Sequence, residues 1–251
     1  MGRVIAIANQ KGGVGKTTTA VNLSACLAAA GKRTLIIDLD AQGNATQGLG
    51  LDKNAQAGTV YDAIANSSAE GLVIETEMEN LFVLPANREL AGAEVELVEA
   101  ERREYRLKEA VAGIADQYDY IFIDCPPSLG LLTLNGLVAA EGILITLQCE
   151  YYALEGLSAL LQTIMTVRDH LNPSLAVAGV LLTMYQHTNL AKQVIEDVRS
   201  HLGEKVFKTV IPRNVTLSEA PSFGQPVIYY DLKSQGAQAY MALAREVIAR
   251  G

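Results

Sequence analysis

The sequence predicts an α/β fold, with a doubly wound, mostly parallel sheet and helices on both faces. Short apolar runs alternate with stretches long enough for a helix, which is typical of parallel sheets joined by helical crossovers. The chain has 251 residues, of which 49% are hydrophobic, so it can bury the core of one domain of this size. We therefore expect a single domain over residues 1–251.

The first elements set this pattern. The run Val4 to Ala8 is apolar at every position, as expected for a strand buried on both faces. The segment Thr17 to Ala30 is rich in alanine and leucine and predicts a helix that ends at Gly31, because glycine readily adopts the conformation that terminates helices. The apolar run Thr34 to Ile37 predicts the next strand.

The same order continues along the chain. Apolar runs predict further strands at Leu81 to Leu84, Tyr120 to Ile123, Ile143 to Leu147 and Val177 to Thr183. Apolar residues at three- and four-residue spacing predict helices at Ala100 to Ala115, Leu154 to Leu171, Asn189 to Leu202 and Gln235 to Arg250.

Composition excludes several classes of protein. No apolar run reaches the length of about 18 residues that a membrane span needs, and Val4 to Ala8 is too short for a signal peptide. The three cysteines Cys26, Cys125 and Cys149 form no Cys-x-x-Cys pair, so neither a disulfide framework nor a zinc cluster is predicted. We expect a cytoplasmic protein with reduced thiols.

Charge is distributed unevenly. The net charge is −8, which argues against a protein that coats nucleic acid along its whole surface. Residues 190–251 nevertheless hold eight Lys or Arg against six Asp or Glu, which leaves 12 against 22 for residues 1–189. A polyanion should therefore bind the C-terminal quarter.

A loop of small residues joins the first strand to the first helix. It reads Gln10-Lys11-Gly12-Gly13-Val14-Gly15-Lys16-Thr17-Thr18. Such a loop turns successive backbone N–H groups inward, and the positive end of the helix dipole adds to their attraction for phosphate. In this arrangement Lys16 reaches the β- and γ-phosphates and the Thr17 hydroxyl holds Mg²⁺. The sequence therefore predicts an ATPase of the P-loop NTPase fold, with ATP and Mg²⁺ as its ligands.

One position departs from the standard phosphate-loop motif, which begins with glycine where this chain has Gln10. The loop with a second lysine, Lys11, instead resembles the deviant Walker A loop of the ParA/MinD class of ATPases. In that class the first lysine crosses a dimer interface to the partner's nucleotide. The resemblance implies this role for Lys11 and an ATP-dependent homodimer, and a cation there would neutralise charge on the transferred phosphoryl group.

Three aspartates follow predicted strands. Asp38 and Asp40 are two residues apart and should point to the same side, at the carboxyl edge where open α/β sheets bind ligands. Asp124 closes another apolar strand before Pro126 and Pro127 end it. We expect Asp124 to hold Mg²⁺ through a water, Asp40 to position the attacking water and Asp38 to support the metal shell. The alternative for each is a helix cap or a surface charge.

Longer segments carry the resemblance further. Asp124 to Gly130, Gln148 to Gly156 and Ile211 to Asn214 look like the chromosomal ParA/Soj branch. The resemblance implies a dimer that binds nonspecific DNA at the nucleoid and hydrolyses ATP when a ParB-type partner stimulates it. By this cycle it would segregate chromosomes or plasmids. The resemblance also implies that Met184, Pro212 and Asn214 line the adenine site, although a Pro-Arg-Asn turn can simply fix a helix start.

The DNA-binding positions depart from that family. Its members commonly carry arginine in the segment that matches Tyr185 to Asn189 and at the position of Thr216, and this chain has none there. Because phosphate contacts need cations, DNA binding should be weakened. The remaining candidates are Lys192, Arg199, Lys205, Lys208, Arg213 and Lys233, each of which has the simpler interpretation of a solvated surface charge.

Other functions on the same scaffold remain as alternatives. A MinD-like membrane-placing ATPase usually ends in a basic amphipathic helix. The last predicted helix instead has an apolar face that better suits a core helix, formed by Tyr240, Ala244, Val247 and Ile248. We therefore expect no membrane association. An enzyme like the nitrogenase iron protein would need cluster ligands, and Cys125 and Cys149 do not match that spacing. A third alternative is a nucleotide-gated switch with negligible turnover.

Overall fold

A computed structural model describes residues 2–150 and 153–250. Within these ranges one sheet of eight strands forms the centre of the molecule. The strands are β1 (Arg3–Ala8), β2 (Thr34–Asp38), β3 (Ile74–Glu75), β4 (Leu81–Leu84), β5 (Tyr120–Asp124), β6 (Gly142–Gln148), β7 (Ala176–Tyr185) and β8 (Val206–Pro212). Their order is β3-β4-β2-β5-β1-β6-β7-β8, and only the β3–β4 pair of this sheet is antiparallel. The predicted doubly wound, mostly parallel sheet is confirmed.

Helices cover both faces of the sheet. They are α1 (Lys16–Ala29), α2 (Asn44–Gly48), α3 (Val60–Asn66), α4 (Leu90–Glu96), α5 (Arg106–Ala112), α6 (Leu131–Ala139), α7 (Ala153–His170), α8 (Asn189–Leu202), α9 (Thr216–Glu219), α10 (Val227–Tyr230) and α11 (Gln235–Ala249). Helices α3 to α8 pack on the face that carries Val4 and Ala6 of β1. Helices α1, α9, α10 and α11 pack on the face that carries Ile5 and Ile7, and α2 packs beside α1. Alternate residues of one strand thus serve two cores, which explains why β1 is apolar throughout.

The predicted helix from Ala100 to Ala115 is wrong in extent. The chain at Arg102 has φ 53°, in the left-handed region, so a right-handed helix cannot run through it. A 3₁₀ turn at Arg103–Tyr105 precedes α5, and a second one at Ala115–Gln117 follows.

The sequence prediction did not include strands β3 and β8 or helices α2, α3, α4, α6, α9 and α10. Strand β8 has Lys208 and Thr209 in its middle. It is one of the two edge strands of the sheet and therefore needs less apolar surface. Helix α6 is mostly buried and therefore lacks the polar face that marks most helices.

The last helix packs against the sheet as the sequence predicted. Tyr240, Ala244 and Val247 are buried, and only Ile248 of the predicted face is exposed, at 36%. No helix in residues 2–150 or 153–250 is long and apolar enough to cross a bilayer.

Candidate nucleotide site

Strand order brings the predicted loop and two aspartates together. Strand β5 lies between β1 and β2, and Asp124 at its end pairs in register with Ile7 of β1 and Asp38 of β2. The loop after β1, Asp124 and Asp38 therefore meet at the carboxyl edge of the sheet, where α/β proteins bind ligands.

The loop has the backbone conformation that phosphate binding needs. Gly13 and Gly15 have φ 70° and 87°, in the left-handed region where glycine carries no steric cost. Gly15 immediately precedes the 14-residue helix α1, and no side chain caps the first turn of that helix. Its N–H groups and the positive end of its dipole are therefore available to an anion.

The two lysines of the loop have different environments. Lys16 is 7% exposed, and its Nζ donates to the backbone oxygen of Lys11 at 3.2 Å. Burial lowers the pKa of Lys16, while the charges of Asp124 and Asp40 oppose this shift. Lys16 is thus a buried cation inside the loop, where a phosphate would be a favourable partner.

Lys11 lies on the surface instead. Its Nζ is 2.7 Å from Oε2 of Glu150 and 3.5 Å from Oε1 of Gln148, and its side chain is 55% exposed. Ion pairs this exposed contribute about 0–1 kcal/mol, so Lys11 can exchange Glu150 for another anion at little cost. The sequence did not indicate this contact of Glu150, because its ion-pair partner Lys11 is 139 residues away in the chain and follows a different strand.

Asp124 is a buried carboxylate beside the Thr17 hydroxyl. Both of its oxygens lack a hydrogen bond within the described part of the chain. Burial raises the pKa of Asp124 well above its ordinary value and the charge of Asp38 raises it further, whereas the Thr17 hydroxyl and Lys16 lower it. Such an anion, next to a hydroxyl, fits a divalent cation.

The metal would depend on the nucleotide for further ligands. Among the described residues no group of three or more His, Cys, Asp or Glu side chains could hold a metal ion. Magnesium usually takes one or two protein carboxylates together with phosphate oxygens and water. Thr17 and Asp124 fit that pattern, and their assignment stays a prediction.

Asp38 anchors the next loop. Its Oδ2 accepts hydrogen bonds from the backbone N and Oγ1 of Thr46, at 2.8 and 2.7 Å, and its Oδ1 accepts from the backbone N of Asp40 at 3.3 Å. Thr46 Oγ1 in turn accepts from the backbone N of Ala86 at 3.0 Å. Burial raises the pKa of Asp38 to about 6. This network supports a structural role for Asp38 in holding the segment that carries Asp40, and the predicted support of a metal shell remains a prediction.

Thr46→Val should weaken this network. The change removes a hydrogen bond to a buried carboxylate and leaves the N–H of Ala86 without its acceptor, a loss of about 1–3 kcal/mol. We expect a lower melting temperature and slower ATP turnover with ATP affinity nearly unchanged, measured by calorimetry, steady-state turnover and nucleotide titration.

Thr76→Val is the matched control for that change. Thr76 is also buried, and its hydroxyl donates to the oxygen of Leu81 at 2.9 Å and accepts from the N of Met78 at 3.2 Å. The Thr76→Val variant should lose stability without a comparable loss of ATP turnover. Equal turnover losses in the two variants would show that Thr46 does not act through Asp40.

The three predicted adenine-site residues share one cavity. Met184, Pro212 and Asn214 line a space of about 190 Å³ together with Gly15 and Thr18 of the phosphate loop. Met184 has φ 52°, an uncommon conformation for a non-glycine residue. Asn214 Oδ1 is buried without a partner, so it could accept a hydrogen bond from a base amino group. Tyr240 also lines the cavity, although its sequence context predicted only a core position on the last helix.

Comparison with known proteins identifies the family. The chain is 57% identical to the sporulation initiation inhibitor protein Soj of Bacillus subtilis over 253 residues, which covers all of both proteins. It is 53% identical to the chromosome-partitioning ATPase Soj of Treponema pallidum over 252 residues, which covers 100% of this chain and 98% of that protein. The chain belongs to the ParA/Soj family of chromosome-partitioning ATPases.

A family model described as an AAA domain matches residues 2–177. The structure also resembles cobyrinic acid a,c-diamide synthase from Mycobacterium smegmatis with bound ATP analogue and magnesium. That chain is 38% identical, with TM-score 0.88, and the match covers 99% of this chain and 94% of that one. This member of the ParA/Soj family is therefore an ATPase with the P-loop fold that the sequence predicted.

Proposed function

We propose that this chain is an ATP-dependent switch for chromosome or plasmid segregation. With ATP and Mg²⁺ it forms a homodimer, binds DNA without sequence preference in the cytoplasm at the nucleoid, and hydrolyses ATP when a ParB-type partner stimulates it. The observation that carries the proposal is the contrast between Lys16, buried inside the phosphate loop, and Lys11, exposed on the same loop. A second cation at the surface can serve a nucleotide on another subunit.

Each part of the site has a task in hydrolysis. The N–H groups of the loop and Lys16 hold the phosphates, and Asp40 orients the attacking water near the edge of the site. Mg²⁺, held by Thr17 and Asp124, would neutralise charge on the phosphoryl group. Lys11 of a second subunit would complete the neutralisation, so turnover would require the dimer.

The cations available for DNA divide into two groups. Lys192, Arg213 and Lys233, the P-loop-edge cations, are exposed and lie near the start of α8, the end of β8 and the start of α11. Arg199, Lys205 and Lys208, the far-edge cations, are exposed near the end of α8 and the start of β8, and Arg199 already donates to the backbone oxygen of Lys208 at 3.2 Å. The P-loop-edge cations are the better candidates for nucleotide-dependent DNA binding, because Arg213 adjoins the adenine cavity.

The experiment that tests the proposal measures DNA binding and turnover together. A labelled random duplex is titrated by anisotropy with ATP, with ADP and without nucleotide, over a range of salt. Turnover is measured alone, with DNA and with DNA plus a ParB-type partner. We expect binding only with ATP and stimulation only with the partner. Negligible binding at low salt with ATP would contradict the DNA-binding claim.

Two triple-alanine variants locate the DNA surface in that experiment. Loss of the P-loop-edge cations should weaken binding at least about tenfold and reduce the salt slope by about 0.9 per lost phosphate contact. Loss of the far-edge cations should change affinity by about twofold or less. ATP affinity is measured in both variants, since Arg213 lies beside the adenine cavity. Equal losses in the two variants would rule out the assignment to the P-loop edge.

A further inference from the structure

Helix α4 and the turn after it have apolar residues on two sides. Leu90, Ala93 and Leu97 are buried in the core. Ala91, Val95 and Val98, which we name the α4 stripe, are exposed, with Val95 at 74% and Val98 at 54%. Their spacing of four and three residues places them along one side of a helical turn. Scattered surface valines are ordinary, but an aligned set on a helix matches the way amphipathic segments are bound.

The surroundings of the stripe are strongly acidic. Residues 89–101 contain five glutamates and no lysine or arginine. Of the arginines that flank this range, Arg102 pairs with Glu109 and Arg103 with Glu104, each at 2.9 Å, and Arg103 also donates to the backbone oxygen of Val98. Arg88, just before the range, is exposed and leaves the local balance acidic, with five glutamates against one arginine that has no ion pair within residues 2–150 and 153–250. None of the ion pairs among the described residues uses Glu94, Glu96, Glu99 or Glu101. This surface repels DNA and repels a second copy of itself, whereas it attracts a cationic partner.

The stripe is also connected to the nucleotide site. Glu94, between Ala91 and Val95, packs against Gly130, where an added Cβ would collide with Glu94 Oε1. That oxygen is buried and has no hydrogen-bond partner in the described chain. Gly130 ends the loop that begins after Asp124 and directly precedes α6. The Glu94 side chain therefore links α4 to the loop next to the site by direct contact.

We propose that the α4 stripe and its glutamates dock a short cationic amphipathic segment of the partner protein that stimulates turnover. Apolar side chains of the segment cover Val95 and Val98, and its lysines or arginines meet the glutamates. The contact between Glu94 and Gly130 transmits the effect of docking to the loop after Asp124. The regulatory part rests on the proposed function, whereas the docking part is measured without any turnover.

The test uses a labelled synthetic peptide that carries the most basic segment of a ParB-type partner. A control peptide has glutamine in place of each lysine and arginine. Anisotropy measures binding to the full chain with and without ATP, and turnover is recorded in parallel. We expect the cationic peptide to bind with strong salt dependence and the glutamine peptide to bind at least about tenfold more weakly.

Matched variants locate the site. Val95→Asp with Val98→Asp should weaken peptide binding at least about tenfold and abolish stimulation, with basal turnover unchanged. Met165→Asp is the control, because Met165 is 49% exposed on α7. Glu99→Lys with Glu101→Lys should also weaken binding, whereas Glu77→Lys with Glu79→Lys, at exposed acidic positions outside the stripe, should not.

Three kinds of result would overturn the inference or its regulatory part, and a fourth separates it from the proposed function. The peptide fails to bind the unaltered chain, or binds the valine variant as well as the Met165 control. The valine variant loses ATP-dependent dimerisation, which would make the stripe an interface between two copies. Binding is lost as expected but stimulation persists, which would overturn the regulatory part. An unaltered chain that binds the peptide at the stripe yet never turns over ATP would refute the proposed function and leave the docking site supported.

Discussion

Asp40→Ala is expected to reduce ATP turnover about a hundredfold or more while ATP binding and dimerisation persist, since placing a reacting water typically contributes about 10²–10⁴ in rate. The structure supports this separation of effects. Asp40 is half-buried beyond the end of β2, outside the phosphate loop, and its backbone N is bonded to Asp38. We therefore expect its carboxylate to contribute to the barrier rather than to ground-state binding.

The measurement is turnover at saturating ATP, with nucleotide affinity and oligomeric state determined on the same sample. Asp52→Ala is the matched control. Asp52 Oδ1 accepts a hydrogen bond from the N of Asn54 at 2.9 Å, just as Asp40 Oδ1 accepts from the N of Gln42 at 3.0 Å. The control should retain its turnover, and unchanged turnover in Asp40→Ala would remove Asp40 from the catalytic assignment.

Lys11→Ala should abolish ATP-dependent dimerisation and lower turnover at least about a hundredfold, because a cation at the γ-phosphate neutralises developing charge. Binding of ATP to the monomer should remain, since Lys16 and the loop N–H groups are intact. Light scattering with and without ATP, nucleotide titration and turnover measure the three effects. Lys108→Ala, at an exposed position of α5, is the control.

A mixing experiment tests whether Lys11 acts on the other subunit. A dimer of one Lys11→Ala chain and one Asp40→Ala chain contains one complete site, because the first chain supplies Asp40 and its partner supplies Lys11. A mixed dimer keeps one Lys11, so equal amounts of the two inactive variants should recover part of the normal rate, up to about half if every dimer is mixed. Light scattering checks that mixed dimers form. No recovery in their presence would place Lys11 in its own site and contradict the dimer mechanism.

Most of the fold could be predicted because the apolar pattern is strong and local. Strand β1 and helix α8 were predicted almost to the residue. Helix α5 was predicted too long, since the backbone at Arg102 depends on how the following turn packs against α6 rather than on the local pattern. Strand β8 was missed because an edge strand does not need an uninterrupted apolar run.

The sequence by itself determined the chemistry of the phosphate loop. Glycines, two lysines and a threonine between a buried strand and a helix bind phosphate through backbone N–H groups and charge, and this depends on neighbouring residues only. The same holds for aspartates at strand ends, which must lie at the carboxyl edge of a parallel sheet.

Only the tertiary structure decided which partners these groups have. It separated buried Lys16 from exposed Lys11, bonded Asp38 to Thr46, left the oxygens of Asp124 without partners and gathered Met184, Pro212 and Asn214 in one cavity. Most of these results depend on contacts between segments that are distant in the chain. Their contacts follow from strand order and from helix packing, which hydrophobic periodicity does not encode.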